Sequence, residues 1–420
     1  MRPLLTLAAR SAWNRRFALG LVGLSIALST LLLLGIERLR QDVRQTFSAA
    51  VSGTDLIVGA RTGPVELLLY SVFRIGSASN NIRYSSVLAL AQHRAVAWVV
   101  PLSLGDSHGG FAVLGTTPGY FEHFRHGQRQ ALRLAQGRVF DGLYETVLGA
   151  DVARQRGYRL GQRIVLGHGD GALEANDHAD KPFTVVGILA ATGTPVDRSL
   201  HISLQAMEAL HADFTGGARL PGQALDAAGA AALDLTPRQV TAALVGLKNR
   251  AAVFAVQRDL ANFRDEPLLA ILPGVALDQL WDLVALGERG LQAMSVLVGG
   301  VSLAALVAVI AAGLNERRRE LAILRALGAG PRQVLWLLAA EGALVTTAGV
   351  ALGAACLYAG LALLGPWVQG QFGLVLRLQP PGSAECLWLA ALLASGFVAS
   401  LVPGWRAYRL SLADGLSPRI

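Results

Sequence analysis

Residues 291–314 read Leu291-Gln292-Ala293-Met294-Ser295-Val296-Leu297-Val298-Gly299-Gly300-Val301-Ser302-Leu303-Ala304-Ala305-Leu306-Val307-Ala308-Val309-Ile310-Ala311-Ala312-Gly313-Leu314, with no charge anywhere. A bilayer crossing takes about 20 predominantly apolar residues. The core helix of a soluble enzyme seldom carries so long an uncharged run, so this stretch is expected to span a membrane. Phe17–Ile36 and Cys386–Trp405 are also uncharged, and Gln333–Leu364 holds a single charge, Glu341. Four spans are therefore expected. The composition agrees, with 53% apolar and only 16% charged residues, against about 25% charged in soluble domains. Mean hydropathy is +0.44, which excludes a disordered chain and an ordinary soluble globule. Cys356 and Cys386 lie in or beside apolar stretches, which argues against a disulfide framework and a cysteine-based zinc site.

The first run is longer than the about 7–15 apolar residues of a cleaved signal peptide. Glu37, Arg38 and Leu39 follow it without a small-x-small cleavage site, so an uncleaved anchor is expected. Orientation comes from basic residues in the short flanks. Arg2, Arg10, Arg15 and Arg16 precede the first span. Arg317, Arg318, Arg319, Arg325 and Arg332 lie between the second and third, and Arg406, Arg409 and Arg419 follow the fourth. Only Arg377 lies between the third and fourth. Both termini and the 315–332 loop are thus expected in the cytoplasm, with 37–290 and 365–385 outside. The resulting layout is a cytoplasmic N-terminus 1–16, spans 17–36, 291–314, 333–364 and 386–405, an outer domain 37–290, a cytoplasmic loop 315–332, an outer loop 365–385 and a cytoplasmic C-terminus 406–420. The net charge is +8, and the 24 basic and 24 acidic residues of 37–290 cancel. The excess is the topology signal, which leaves no basic patch arguing for nucleic acid.

The outer domain alternates strand-like and helix-like stretches. Strands are expected at 54–59, 96–102, 111–115, 146–149, 162–166 and most clearly at Phe183–Leu189, a β-branched run bounded by Pro182. Helices are expected around 85–94, 203–212, 236–247 and 250–263. The third of these opens with Thr236-Pro237, a cap followed by proline at the first helical position. Asp278, Trp281, Asp282, Val284, Ala285 and Glu288 suggest an amphipathic helix within 264–290 running into the second span. Glu37–Phe47 extends the first span in the same way, giving two helical stalks. The fold class is therefore an α-helical membrane protein with four transmembrane helices and a large α+β extracytoplasmic domain.

The 315–332 loop reads Asn315-Glu316-Arg317-Arg318-Arg319-Glu320-Leu321-Ala322-Ile323-Leu324-Arg325-Ala326-Leu327-Gly328-Ala329, then Gly330-Pro331-Arg332. It resembles the cytoplasmic signature of the FtsX/MacB-like (type VII) ABC transporter permeases. Glu341 matches an acidic residue common early in that family's third span. Val402-Pro403-Gly404-Trp405-Arg406 with Ala413-Asp414-Gly415-Leu416 is similar to its ending. Val113-Leu114-Gly115, Pro118-Gly119-Tyr120-Phe121, Gly137, Val147-Leu148-Gly149, Leu160-Gly161 and Phe183–Leu189 resemble the MacB-like periplasmic core. Pro64–Tyr84, with Arg74-Ile75-Gly76-Ser77 and Asn80-Asn81, departs from the pattern.

The resemblance implies a stand-alone permease subunit in the bacterial inner membrane, paired with a second copy or a homologous permease on a cytosolic ABC ATPase dimer. It also implies mechanical work on the periplasmic side, for export or lipoprotein release, with an adaptor, lipoprotein or hydrolase as a further partner and membrane lipid around the spans. The chain has no G-x-x-x-x-G-K-[ST] loop, so no cofactor is expected on it, and ATP is expected on the partner. Glu316, Arg317, Arg318, Arg319, Glu320, Leu321, Ile323, Leu324, Arg325, Leu327 and Gly328 form the coupling helix implied to contact that ATPase. If 316–328 is helical, Leu321, Leu324 and Leu327 lie near one face. Charge alone reads the same arginines as a positive-inside loop on lipid headgroups.

Glu341 is an ionisable group inside a span, either structural or functional. Gly349 and Gly353 form a small-xxx-small pair that permits close helix packing and weakly favours a dimer interface. All eight histidines fall between His93 and His211. His123 and His126 have the spacing of one helical face, but no Cys or H-E-x-x-H accompanies them, so no metal site is expected. No G-x-S-x-G elbow or paired-carboxylate frame marks a catalytic site, so the chain is read as a transporter subunit and not an enzyme. The alternatives are an FtsX-like signalling subunit regulating a cell-wall hydrolase and, more remotely, a membrane-anchored hydrolase.

Overall fold

The computed structural model describes residues 16–168, 180–215, 218–219, 225–316, 328–372 and 374–409. They fall into two units. One comprises the chain up to Asp42, Val284–Trp367 and the chain from Leu376, and the other comprises Val43–Leu283 with Val368–Val375.

The first unit is built from four long apolar helices, Arg16–Ala50, Pro273–Glu316, Pro331–Phe372 and Ser383–Arg409. The first two extend well beyond their apolar runs, at 35 and 44 residues, and their far ends belong to the second unit. Glu385 sits in the first turn of the fourth helix and accepts from the Gly382 amide at 2.8 Å, so a carboxylate caps the start. Leu19, Val22 and Ile26 pack with Leu306, Ile310, Leu314, Val334 and Leu338. The outward residues are large and apolar: Phe17 is 80% exposed, Leu297 69% and Leu363 79%. Water would penalise such a surface and lipid does not.

The second unit is an eleven-stranded mixed sheet. Its longer strands are β1 (Leu56–Ala60), β2 (Val96–His108), β3 (Phe111–Thr116), β4 (Leu134–Gly137), β5 (Glu145–Leu148), β6 (Phe183–Leu189), β7 (Ser199–Ser203), β8 (Ala242–Leu247) and β9 (Leu268–Ile271). The spatial order is β9-β1-β8-β2-β3-β7-β5-β6-β4. Two short strands join from the side, Arg163–Ile164 on β6 and Gly167–His168 on β2. Along this path β3–β7 and β5–β6 are parallel and the other pairs antiparallel. The chain enters the sheet by β1 and leaves it by β9, which pair antiparallel with Ile57 opposite Ile271 and Ala60 opposite Leu268.

Both faces of the sheet are covered. In β1, Leu56, Val58 and Ala60 point to one cluster with Val87, Leu90, Val256 and Leu260, while Ile57 points to another with Leu67, Tyr70 and Phe73. The β2 end of the sheet and beyond repeats the division, with Val113 and Leu148 on one side and Leu114 and Val147 on the other. Strands buried on both faces read as continuous apolar runs instead of alternating ones.

That is why 236–247, expected as a helix, is instead a strand. Ala242–Leu247 is β8, held between β1 and β2, with Ala242 through Val245 all buried. The alanines favour helix, but their lack of bulk suits a central strand, and pairing on both edges overrides propensity. Gly246 lies opposite Trp98, whose indole fills the space a Cβ would need. Within 264–290, likewise, Leu268–Ile271 is strand β9, and the helix starts at Pro273.

Candidate functional site

The coupling loop is the first site the sequence marks. Glu316 ends the second long helix, and Gly328 has a left-handed φ of 98° shortly before the third begins at Pro331. Arg317, Arg318, Arg319, Glu320, Leu321, Ile323, Leu324, Arg325 and Leu327 lie outside the described residues.

Glu341 is 3% exposed and engaged in a polar interaction. Its neighbour Gly342 belongs to an interlock the sequence reading missed. A Cβ on Gly342 would strike the Ser400 side chain, and one on Gly396 would strike Thr346. Thr346 Oγ1 donates to the Gly342 carbonyl at 2.8 Å, and Ser400 Oγ donates to the Gly396 carbonyl at 2.6 Å. Each helix thus offers a glycine to the other's hydroxyl residue, with both hydroxyls satisfied inside their own helix. The legible signal was the i, i+4 pairing of a glycine with Thr or Ser on both helices.

Gly349 and Gly353 make the same kind of contact. A Cβ on Gly349 would lie 2.8 Å from the Gly23 carbonyl, and one on Gly353 would lie 2.7 Å from Thr30 Cβ. The pair therefore packs against the first span of the same chain. Ser25 and Ser302 share a 2.6 Å hydrogen bond, joining the first helix to the second.

Beyond the apolar run, the first helix carries a buried charge cluster. Arg38 Nη2 donates to the carbonyls of Arg377 and Gln379 at 2.6 and 3.0 Å, and Nη1 lies 3.5 Å from Glu385. Asp42 accepts from the Arg377 amide at 3.3 Å and lies 3.8 Å from Arg38 Nε. Arg38, Asp42 and Glu385 are all buried. Paired guanidinium and carboxylates of this kind fix geometry, and removing one partner strands the others. In the sequence Arg377 reads only as a topology marker and Arg38 only as part of a stalk.

In the outer domain, the divergent stretch Pro64–Tyr84 forms the helix Pro64–Leu68, a π-helical turn Leu69–Phe73 and the short strand Ile82–Arg83. The turn ends at Arg74, a non-glycine residue at φ 60°. Arg74 donates to the Ser71 carbonyl, and its Nε is sealed from solvent without a hydrogen-bond partner. Burial draws its pKa down, with only the Tyr120 hydroxyl beside it to oppose. Burial likewise pushes the Tyr120 phenol up to about 12. Burial, with Arg74 nearby, holds His201 down to about 3, so its ring is neutral, and its Nδ1 lies 3.1 Å from the Val147 carbonyl. Tyr120 and His201 pack tilted and edge-on in an aromatic cluster with Phe121.

His123 and His126 do not share a helical face. His123 ends the short helix Gly119–His123 and stacks on Trp98 with ring centroids 4.9 Å apart, while His126 lies in the strand Arg125–His126. The helix stops at His123 because Phe124 turns to extended backbone.

Two family models match the chain: the MacB-like periplasmic core domain over residues 18–263 and the FtsX-like permease C-terminal domain over 293–412. Among solved structures, the periplasmic region of MacB from Actinobacillus actinomycetemcomitans is similar at 13% identity and a TM-score of 0.36, covering 56% of this chain and 96% of that one. The extracellular domain of the noncanonic ABC-type transporter YknZ from Gram-positive bacteria is similar at 13% identity and a TM-score of 0.31, covering 52% and 99%. No curated protein matches. The core-domain model alone spans more than half of the sequence, and the four apolar helices frame it. The chain belongs to the FtsX/MacB-like ABC transporter permeases and is a membrane protein with a MacB-like periplasmic core domain.

Proposed function

We propose that this permease converts ATP hydrolysis on a separate cytosolic ATPase dimer into motion of its periplasmic domain, from the inner membrane and with both termini in the cytoplasm. One element carries the reading. The helix Pro273–Glu316 is separated from β9 by the single residue Leu272 and ends where the arginine-rich coupling signature begins. At 1.5 Å per residue its 44 residues extend about 66 Å, roughly twice the ~30 Å hydrocarbon core. A push on 316–328 therefore meets one unbroken helix whose other end adjoins the sheet edge. The first helix, ending at Ala50 before β1, is the second such rod. No step of this reading needs substrate to pass among the spans. The outer domain then releases a lipoprotein, drives a periplasmic partner or expels a small molecule.

The test co-purifies the permease with its ATPase and follows ATP-dependent change between two spin labels in the outer domain. Leu324→Asp or Arg318→Glu is expected to abolish the change through lost docking. Gly287→Pro, which breaks the rod by removing a helical hydrogen bond, is expected to keep ATP hydrolysis and lose the motion. Unaltered motion in Gly287→Pro would sink the rod, and unaltered motion in Leu324→Asp would sink the docking.

A further inference from the structure

Two cavities meet at Arg74. One of about 470 Å³ is lined by Arg74, Ser77, Asn81, Asp106 and Ser107, and holds charge of both signs. The other, of about 400 Å³, differs in kind. Arg74 and Arg198 both line it, its apolar wall is made by Phe47, Phe73, Ile75 and Leu374, and no acidic side chain appears among its described lining residues. Its volume is that of a small-molecule site.

The two arginines are poorly compensated. No carboxylate among the described residues pairs with Arg74. Arg198 lies 5.2 Å over the Phe111 ring and donates to the Gly370 carbonyl. Burial lowers its pKa against the opposing pull of Asp151, which is itself paired with Arg154 at 2.5 Å. Two half-buried cations facing one apolar cavity without an acid cost desolvation energy that an anion would recover. The backbone points the same way. A bulky residue at φ 60° is strained and persists where the surroundings require its side chain in one place.

We propose that this cavity binds an anion with an apolar body, a carboxylate or phosphate on a hydrocarbon chain, its headgroup held by Arg74 and Arg198 and its chain by Phe47, Phe73, Ile75 and Leu374. Guanidinium forks suit both headgroups. Such a ligand comes either from the membrane, as an anionic lipid, or from solution. Binding requires no ATPase, so the proposal stands or falls apart from the coupling reading.

The experiment titrates the full-length protein in phosphatidylcholine nanodiscs with octyl phosphate, with 1-octanol as neutral control and empty discs as reference. Saturable octyl phosphate binding is expected, at least tenfold tighter than octanol. Arg198→Gln is expected to weaken it at least tenfold. Ile75→Trp, at a site 52% exposed, narrows the cavity without touching the core and decides the matter if Arg198→Gln fails to fold. Ser77→Ala, on the other cavity, leaves binding unchanged. Absence of saturation, equal affinity for octanol, or binding unaffected by both Arg198→Gln and Ile75→Trp overturns the proposal, as does a loss in Ser77→Ala equal to that in Arg198→Gln. Discs containing phosphatidylglycerol separate the sources. Weaker apparent affinity there assigns a lipid occupant, and unchanged affinity assigns a soluble anion.

Discussion

The span helices add buried hydroxyl residues and close-packed glycines to their apolar contacts, whereas the outer domain is held chiefly by fully buried apolar side chains. Among the spans, Ser29, Thr30, Ser302, Thr346 and Ser400 are at most 1% exposed, while Leu24, Leu28, Leu297 and Val301 face outward. In the outer domain Leu56, Ile57, Val113, Leu148 and Phe183 are fully buried. The difference follows from the surrounding medium. Lipid gives no reward for hiding leucine, so span helices associate through close backbone approach and shared hydroxyls. Water gives that reward, so the sheet is covered on both faces. Buried charge occurs on both sides, and there the partner decides: Arg38 lies among Asp42 and Glu385 beside the spans, and Lys181 is paired with Asp213 in the outer core.

The strongest way to break this comparison is to remove such a partner. Lys181 and Asp213 are both fully buried, 2.7 Å apart. Lys181→Met removes the cation paired with the buried Asp213 carboxylate and is expected to cost about 3–5 kcal/mol, read as outer-domain unfolding by denaturant. A null result would mean that the pair is not closed to water.

The next effect is a pH dependence confined to the outer domain. His201 is held neutral, its pKa lowered by burial to about 3, whereas the unfolded ring titrates near ~6.5. Its contribution is complete above pH ~6.5 and is lost as pH falls towards the folded value, about 1.4 kcal/mol per unit. The melting temperature of the outer domain is expected to drop between about pH 6.5 and 4.5, and His201→Gln to flatten the slope relative to the parent. An unchanged slope would place the acid sensitivity elsewhere.

The smallest effect sharpens the span side. Gly353→Leu forces a side chain into the first helix at Thr30 and is expected to destabilise the bundle by about 1–3 kcal/mol. Gly360→Leu, where nothing lies within 4 Å of an added Cβ, should be close to neutral. Equal thermal stability of the two variants in detergent would disprove the seam.

The spans were legible because twenty uncharged residues have few other uses. Phe183–Leu189 was legible as a strand because it is β-branched and its start is marked by Pro182. β8 was not, since a strand buried on both faces lacks the period that distinguishes strand from helix, and alanine misled. The reading of the candidate sites was narrower. Gly349 and Gly353 announced close packing, but nothing local could name Gly23 and Thr30 as what they pack on. Arg38 and Glu385 are more than 300 positions apart, so their 3.5 Å contact is a product of the fold. Arg74 stood in a stretch flagged only for departing from a pattern, because a cavity has no sequence signature.

If the two long helices act as the proposed rods, the pairing of β1 with β9 sets what load the outer domain tolerates. The first rod feeds one strand and the second leaves from the other, both at the Ile57–Ile271 end. Displacing the two rods together carries the strand pair as a single tongue and strains no bond between them. Splaying them opens the pair like a zipper from Ile57–Ile271, one rung at a time. Among the described strands β9 is the edge, paired with β1 on one side and tied on the other only through Gln257, which donates to the Ala270 carbonyl, whereas β1 is also backed by β8. On the coupling proposed above, the domain is expected to withstand a concerted stroke and to come undone under a scissoring one.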